Sequence, residues 1–229
     1  MTSDAEHAAK ERADATDDAA GVRTLGHRRF VGGDGDLWDR IGELQFRFLI
    51  AQGLEPGHVL LDLACGSLRG GIRFIPYLEP DRYLGFDKSI DLVILGVAEE
   101  LGIKVFLEKR PRFVVNGRFD LSDFESRPDF AIAQSLFTHL TPDLVTAALR
   151  GVRSIAHEKT RFFATYFLRE AGDPENPTDS HSRLVFRYTP AEFARFALET
   201  GWRATDLGGW NHPRGQRMMR FDPLPEQRG

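Results

Sequence analysis

The strongest constraint on this chain is an alternation of two patterns between residues 58 and 221. Apolar runs bounded by Gly, Pro or Asp predict strands at His58–Leu63, Tyr83–Phe86, Phe113–Val115, Phe130–Gln134, Arg161–Phe167, Arg203–Leu207 and Gln216–Phe221. Helical periods lie between them, near Leu68–Leu78, Ile90–Leu101, Pro142–Ala156 and Pro190–Thr200. Two of these helices carry start signals, Thr141-Pro142-Asp143 and the capping-box spacing Thr189-Pro190-Ala191-Glu192. Parallel strands need a crossover connection, so strand–helix alternation predicts an α/β fold with a mostly parallel sheet covered on both faces. A further helix is expected from about Asp36 to Gln52, where Leu37, Ile41, Leu44 and Phe48 share one face and Gly53 and Pro56 follow.

A chain of 229 residues, 41% hydrophobic, is long enough for one sizeable core. We expect a single domain over residues 25–229 behind an acidic tail, residues 1–24, that is disordered or frayed. The first twenty residues carry six acids against Lys10 and Arg12 and no aromatic residue to bury. They account for the whole formal charge of -4, so the body is near neutral and no nucleic-acid partner is expected. The one cysteine, Cys65, excludes an intramolecular disulfide, and no Cys/His spacing suggests a metal site. With no leader pattern and no long apolar segment, the expectation is a cytoplasmic protein without a membrane partner.

Ligands of open parallel sheets bind beyond the carboxyl ends of the strands, where strand order reverses. Three polar features fall there. The first predicted strand ends in Leu61-Asp62-Leu63 and enters the small-residue turn Ala64-Cys65-Gly66-Ser67 before a helix. Gly66, lacking a Cβ, lets backbone approach a ligand, and a helix start there offers N–H groups to an anion. The second strand ends in Asp87, whose carboxylate suits both hydroxyls of a ribose, and the fourth in Gln134-Ser135. A glycine turn alone is a weak signal, since nicotinamide and flavin enzymes use it too. Here, however, the second glycine of the G-x-G-x-x-G fingerprint is replaced by Leu68, which obstructs a pyrophosphate. Asp62 also puts a negative charge in the pocket, which suits a ligand with an amine.

The run Val59-Leu60-Leu61-Asp62-Leu63-Ala64-Cys65-Gly66-Ser67 resembles the first motif of class I S-adenosylmethionine-dependent methyltransferases. Tyr83-Leu84-Gly85-Phe86-Asp87 resembles the second, and Phe130-Ala131-Ile132-Ala133-Gln134-Ser135-Leu136-Phe137-Thr138-His139-Leu140 is similar to the fourth-strand motif. The resemblance covers most of residues 36–221 and departs at Leu68, where many members have glycine. It implies a three-layer Rossmann-like fold with a mostly parallel seven-stranded sheet and an antiparallel last strand. It implies S-adenosyl-L-methionine as cofactor and direct methyl transfer, without a metal, to a small polar acceptor, a hydroxyl first. By the same resemblance Asp62, Ala64, Cys65, Gly66 and Ser67 hold the methionine end, and Asp87 with the adjoining Lys88 the ribose. Asn116 and Phe119 border the adenine, and Gln134, Ser135 and Phe137 the sulfonium side. The residues alone also allow simpler roles: Asp87 as a turn acid before a helix capped by Ser89, Asp62 as a strand-end cap, Cys65 as a small turn residue.

A hydroxyl acceptor gains from a general base, whereas a neutral amine needs none. His139, just past the fourth strand, is the first candidate, and His181, in the long connection from Arg169 to Tyr188, is the second. His139 also reads as a ring packed at the start of the helix that Thr141 caps. The turn Gly208-Gly209-Trp210-Asn211-His212-Pro213-Arg214-Gly215 reaches the same edge if the sixth strand runs parallel to the first. Trp210, His212 and Arg214, with Trp38 and Tyr188, are the candidate acceptor contacts. Arg214 suits a carboxylate or phosphate, or is a plain surface arginine. Val31-Gly32-Gly33 through Trp38 and Gln45 reads as a lid over the cofactor, with Trp38 equally a core residue. Three functions stay open: methyl transfer, cofactor binding without turnover, and nicotinamide-dependent oxidoreduction. A nucleic-acid methyltransferase is disfavoured, because Gln134–Phe137 lacks an Asn/Asp-Pro-Pro-aromatic motif.

Overall fold

The computed structural model describes residues 20–32, 35–180 and 184–225. Residues 1–19 of the expected tail lie outside the described residues; residues 20–25 are helical, and Val22 is buried. The strands are β1 (Leu60–Leu63), β2 (Tyr83–Asp87), β3 (Arg112–Val115), β4 (Phe130–Ala133), β5 (Arg161–Leu168), β6 (Arg187–Tyr188), β7 (Trp202–Gly209) and β8 (Arg217–Pro223). The helices are α1 (His27–Phe30), α2 (Leu37–Ala51), α3 (Gly71–Tyr77), α4 (Ile90–Leu95), α5 (Ile103–Lys109), α6 (Pro142–Ile155) and α7 (Pro190–Glu199). At Gly96 the chain of α4 widens into a π-helix, Gly96–Leu101.

Strand order is β3-β2-β1-β4-β5-β8-β7, parallel from β3 to β5, with β8 antiparallel to both its neighbours. Two reversals make β7 parallel to β1, so the turn after β7 reaches the carboxyl edge of the sheet. The order reverses between β1 and β4, and the loops that leave these two strands meet at that switch point. β1, β2 and β4 are buried along their whole length, as near-continuous apolar strands of a parallel sheet must be. Alternate residues feed two cores. Leu61, Leu84 and Phe162 pack with Val145 and Leu149 of α6 and Phe193 of α7, whereas Leu60, Tyr83 and Phe163 pack with Leu49 of α2 and Phe74 of α3.

The differences from expectation have local causes. β1 starts at Leu60 because the Val59 N–H donates to the Asp129 carboxylate at 2.8 Å instead of to a ladder partner. Helix α3 starts at Gly71, three residues late, because Ala64, Gly66 and Leu68 all have positive φ and keep the chain in turns. No helix N-terminus therefore faces Gly66, and donors there come from the loop itself. Helix α5, seven residues long and bounded by Gly102 and the left-handed Arg110, was not expected: Val105 and Phe106 only partly bury against the second core while Ile103 and Leu107 are exposed, so its apolar residues do not mark one buried face. The connection from Arg169 to Tyr188 ends in β6, which pairs in parallel with β5. The capping box of Thr189 and Glu192 forms in full, while Thr141 precedes α6 without a side-chain cap bond.

Candidate functional site

Asp87 ties the two key loops together. Its Oδ2 accepts the Gly66 N–H at 2.8 Å and its Oδ1 the Ser89 N–H at 2.9 Å. The carboxylate is thus both the brace of the β1 loop and, in α4's approach, the turn acid that Ser89 adjoins. Lys88, beside it, is exposed.

The β1 loop is held from both sides. Below it, the position of a Cβ on Gly96 lies 2.7 Å from the Ser67 carbonyl carbon and 2.8 Å from Leu68 Cγ, so only glycine lets the helix come this close. Above it, Val31 Cγ1 lies 3.2 Å from where a Cβ of Gly66 would be, and Arg69 Nη1 donates to the Val31 carbonyl at 3.2 Å. Leu68 is fully buried at φ 64°, a conformation unusual for an apolar side chain. Its side chain anchors the loop where a dinucleotide fingerprint would have an open glycine.

Asp62 and Arg69 bring opposite charges together under this loop. The Asp62 carboxylate is buried and accepts the Tyr83 hydroxyl at 2.7 Å. Burial pushes its pKa up to about 6, with Asp87 adding to the rise and the Tyr83 hydroxyl and Arg69 opposing it. Burial likewise lowers Arg69 to about 10, opposed by Asp62 and reinforced by Arg214. A carboxyl raised in the folded state contributes stability that is fully present below its ordinary pKa of 3.8 and is lost as pH rises through 6. The loss is on the order of 3 kcal/mol. Asp62→Asn should therefore gain stability relative to the parent between pH 4 and pH 7, as read by denaturant unfolding without ligand. A difference that stays constant over that range would show that Asp62 does not titrate this way. Cys65 is buried between Phe86 and this loop, and burial, then Asp87 and Asp62, push its thiol well up, so it is an inert turn residue.

The β4 end meets the turn after β7. Ser135 has φ 59°, and its N–H donates to Thr165 Oγ1 at 2.7 Å. Gln134 Nε2 donates to Gln216 Oε1 and Ser135 Oγ, both at 2.9 Å, and lies 3.2 Å from His212 Nε2. His212 Nδ1 accepts the Arg214 N–H at 3.2 Å, so in the neutral ring the proton sits on Nε2. Burial, then Arg69 and Arg214, lower His212 to about 4, which keeps it neutral. Turning the Gln134 and Gln216 amides together lets Gln134 Oε1 accept from His212; in either arrangement one polar atom of Gln134 stays unpartnered. Ser67 Oγ, Arg69 Nε and Trp210 Nε1 are likewise buried without a partner. Trp210 stacks on His212 at 5.5 Å.

Several expected contacts are core residues instead. Tyr188 is fully buried, its hydroxyl donating to the Leu140 carbonyl at 2.6 Å, because β6 turns it inward against Phe193 and Phe196. Phe137 stacks on Phe193 in the same core. Phe119 stacks on Phe86 at 5.6 Å under Gly151 of α6, and Asn116 spends its amide on the 116–120 turn. Trp38 is fully buried beneath the Arg28 guanidinium, 4.4 Å from its ring centre. His139 joins the 180–186 connection: its Nδ1 lies 2.6 Å from the Leu184 carbonyl, and its own carbonyl accepts from Ser180. His181 lies outside the described residues. Arg69, Gln216 and Tyr83 had no assigned role in the sequence reading. Arg69 stands between Leu68 and Gly70, and nothing local told that its charge would act on Asp62.

Among the described residues, no group of three or more His, Cys, Asp or Glu is arranged to hold a metal, and no helix is long and apolar enough to cross a membrane.

No family model matches the chain. Solved structures do. The 1,6-didemethyltoxoflavin-N1-methyltransferase of Burkholderia thailandensis, with 1,6-didemethyltoxoflavin and S-adenosylhomocysteine bound, matches at a TM-score of 0.64 and 18% identity, over 91% of this chain and 87% of that one. Magnesium protoporphyrin IX methyltransferase of Synechocystis PCC 6803 with bound S-adenosylhomocysteine matches at 0.60 and 17%, over 85% and 92%. A glycopeptide N-methyltransferase complexed with S-adenosylmethionine matches at 0.62 and 13%, over 80% and 94%. The chain has the Rossmann-like fold of the S-adenosylmethionine-dependent methyltransferases.

Proposed function

We propose that this protein is an enzyme that transfers a methyl group from S-adenosyl-L-methionine to a small polar acceptor by direct displacement. The observation that carries the reading is the set of buried, unpartnered polar atoms around Gly66 and the β4 end: Ser67 Oγ, Arg69 Nε, one amide atom of Gln134 and Trp210 Nε1. A buried unsatisfied group costs about 1–3 kcal/mol, which a ligand that pairs with it returns. The neighbouring charges suit this ligand. Asp62 and Arg69 together complement the ammonium and carboxylate of an amino-acid moiety, and Asp87 puts a carboxylate, which suits ribose hydroxyls, at the end of β2 beside the Gly66 loop. The buried Leu68 leaves a dinucleotide pyrophosphate no open glycine to approach. Bound S-adenosylmethionine or S-adenosylhomocysteine in structures of the same fold supports the reading.

When bound, the cofactor supplies an activated methyl group, and the chain's own task is alignment and exclusion of water. Val31 and Gly32 cover the β1 loop, with α2 behind them. A hydroxyl acceptor is our first choice, with His139 as base. Its Nδ1–H donates to the Leu184 carbonyl, so in the neutral ring Nε2 carries the lone pair that takes a proton. His212 has the opposite tautomer, and its Nε2 is engaged by the Gln134 amide.

Calorimetry with S-adenosylmethionine, S-adenosylhomocysteine and NAD tests the proposal. Saturable binding of the two sulfur compounds and none of NAD is expected. NAD binding without response to either sulfur compound would end this reading in favour of an oxidoreductase.

A further inference from the structure

The turn that closes the acceptor side, residues 208–215, offers hydrogen-bond donors and positive charge without a compensating acid. Trp210 Nε1–H is buried without a partner. His212 has both ring nitrogens engaged, Nδ1 by the Arg214 N–H and Nε2 by the Gln134 amide at 3.2 Å, so it contributes a ring face and no donor. Arg214 is exposed, and no ion pair to it occurs among the described residues. Its Nη1 lies 3.1 Å from where a Cβ of Gly32 would be, so it stands where the covering segment meets the turn. Arg69, 8% exposed, adds a second guanidinium close enough to act on both His212 and Arg214, but its charge is already matched by Asp62. The uncompensated cation is therefore Arg214. Indole and guanidinium N–H groups fit a group with acceptors only, and a planar fork fits a carboxylate or phosphate in particular.

We propose that Trp210 and Arg214, with the His212 ring stacked on the indole, form an oxyanion subsite that holds a carboxylate or phosphate group of the methyl acceptor. This rests on the methyltransferase reading and narrows its acceptor to an anion. The ring of Trp210, edge-on to Phe48 at 5.4 Å and stacked on His212, gives the subsite an aromatic wall beside its charges.

The test uses the full chain saturated with S-adenosylhomocysteine and titrated calorimetrically with benzoate, inorganic phosphate and the neutral benzamide. Millimolar, saturable binding of benzoate or phosphate is expected, the stronger of the two identifying the group, with no comparable response to benzamide. Arg214→Gln should weaken the anion roughly tenfold or more while S-adenosylhomocysteine affinity holds within about twofold, and Arg214→Lys should recover part of the loss. Benzamide binding as well as benzoate, no anion binding, or an anion unaffected by Arg214→Gln would each overturn the subsite. So would an anion that competes with S-adenosylhomocysteine, or equal losses of both ligands, since Arg214 would then belong to the cofactor site. Failure of the parent protein to bind S-adenosylhomocysteine at all overturns the methyltransferase reading instead.

Discussion

Asp87→Asn is expected to lose about two orders of magnitude in affinity for S-adenosylhomocysteine and to melt earlier without any ligand. The reasons are separable. Asp87 accepts the Gly66 and Ser89 N–H groups on different oxygens, so an amide must turn its own N–H toward one of these donors. That leaves a buried donor pair unsatisfied, at about 1–3 kcal/mol, and loosens the loop whether or not ligand is present. The loss in affinity comes on top, because two charge-assisted bonds to ribose hydroxyls become neutral ones or disappear. Thermal melting of the free protein reads the first effect, and calorimetry at a temperature where the variant is folded reads the second. A variant that melts earlier yet binds S-adenosylhomocysteine with parental affinity would make Asp87 a loop brace alone.

Gly96→Ala should damage the β1 loop without changing any charged group. The added methyl would lie 2.7 Å from the Ser67 carbonyl carbon and 2.8 Å from both the Ser67 oxygen and Leu68 Cγ. Two of these are backbone atoms of a loop already fixed by the Gly66 bond to Asp87, so neither side has a rotamer with which to yield. Overpacking of this kind costs about 1–3 kcal/mol, and the shift should move Ser67 and Gly66 enough to lower S-adenosylhomocysteine affinity about tenfold. Gly209→Ala is the control, since nothing lies within 4 Å of its added methyl. Equal melting temperatures and affinities for the two variants would show that the π-helix approach does not hold the loop.

Which parts of the site were legible in the sequence follows from how local each signal is. β1, β2 and β4 were recognisable because strands buried on both faces must be apolar runs, and Asp62, Asp87 and Gln134-Ser135 mark where those runs stop. The capping box at Thr189 was legible because its two partners stand three residues apart. Helix α5 was not, because seven residues span only about two turns and its apolar residues are split between the core and solvent. The late start of α3 was hidden for another reason: a leucine at φ 64° is not a residue that announces a left-handed turn.

Side chains whose role depends on distant partners were the least legible. Tyr188 stood in a loop-like stretch full of polar residues, yet two residues of pairing with β5 turn it into the core. Arg69 was one letter in a glycine run until the fold set it beside Asp62 and Val31, 38 positions away. His212 and Gln134 are 78 positions apart, and only the antiparallel return of β8 brings them within 3.2 Å.

The sequence by itself determined the parallel sheet and the residues at its strand ends, because burial on two faces and chain reversal at glycine are properties of short stretches. Tertiary structure alone decided that Asp87 braces the β1 loop, that burial keeps His212 neutral, and that Arg214 has no ion pair among the described residues. Protonation and charge balance depend on what surrounds a group in space, and those neighbours come from strands that meet only after the chain has folded.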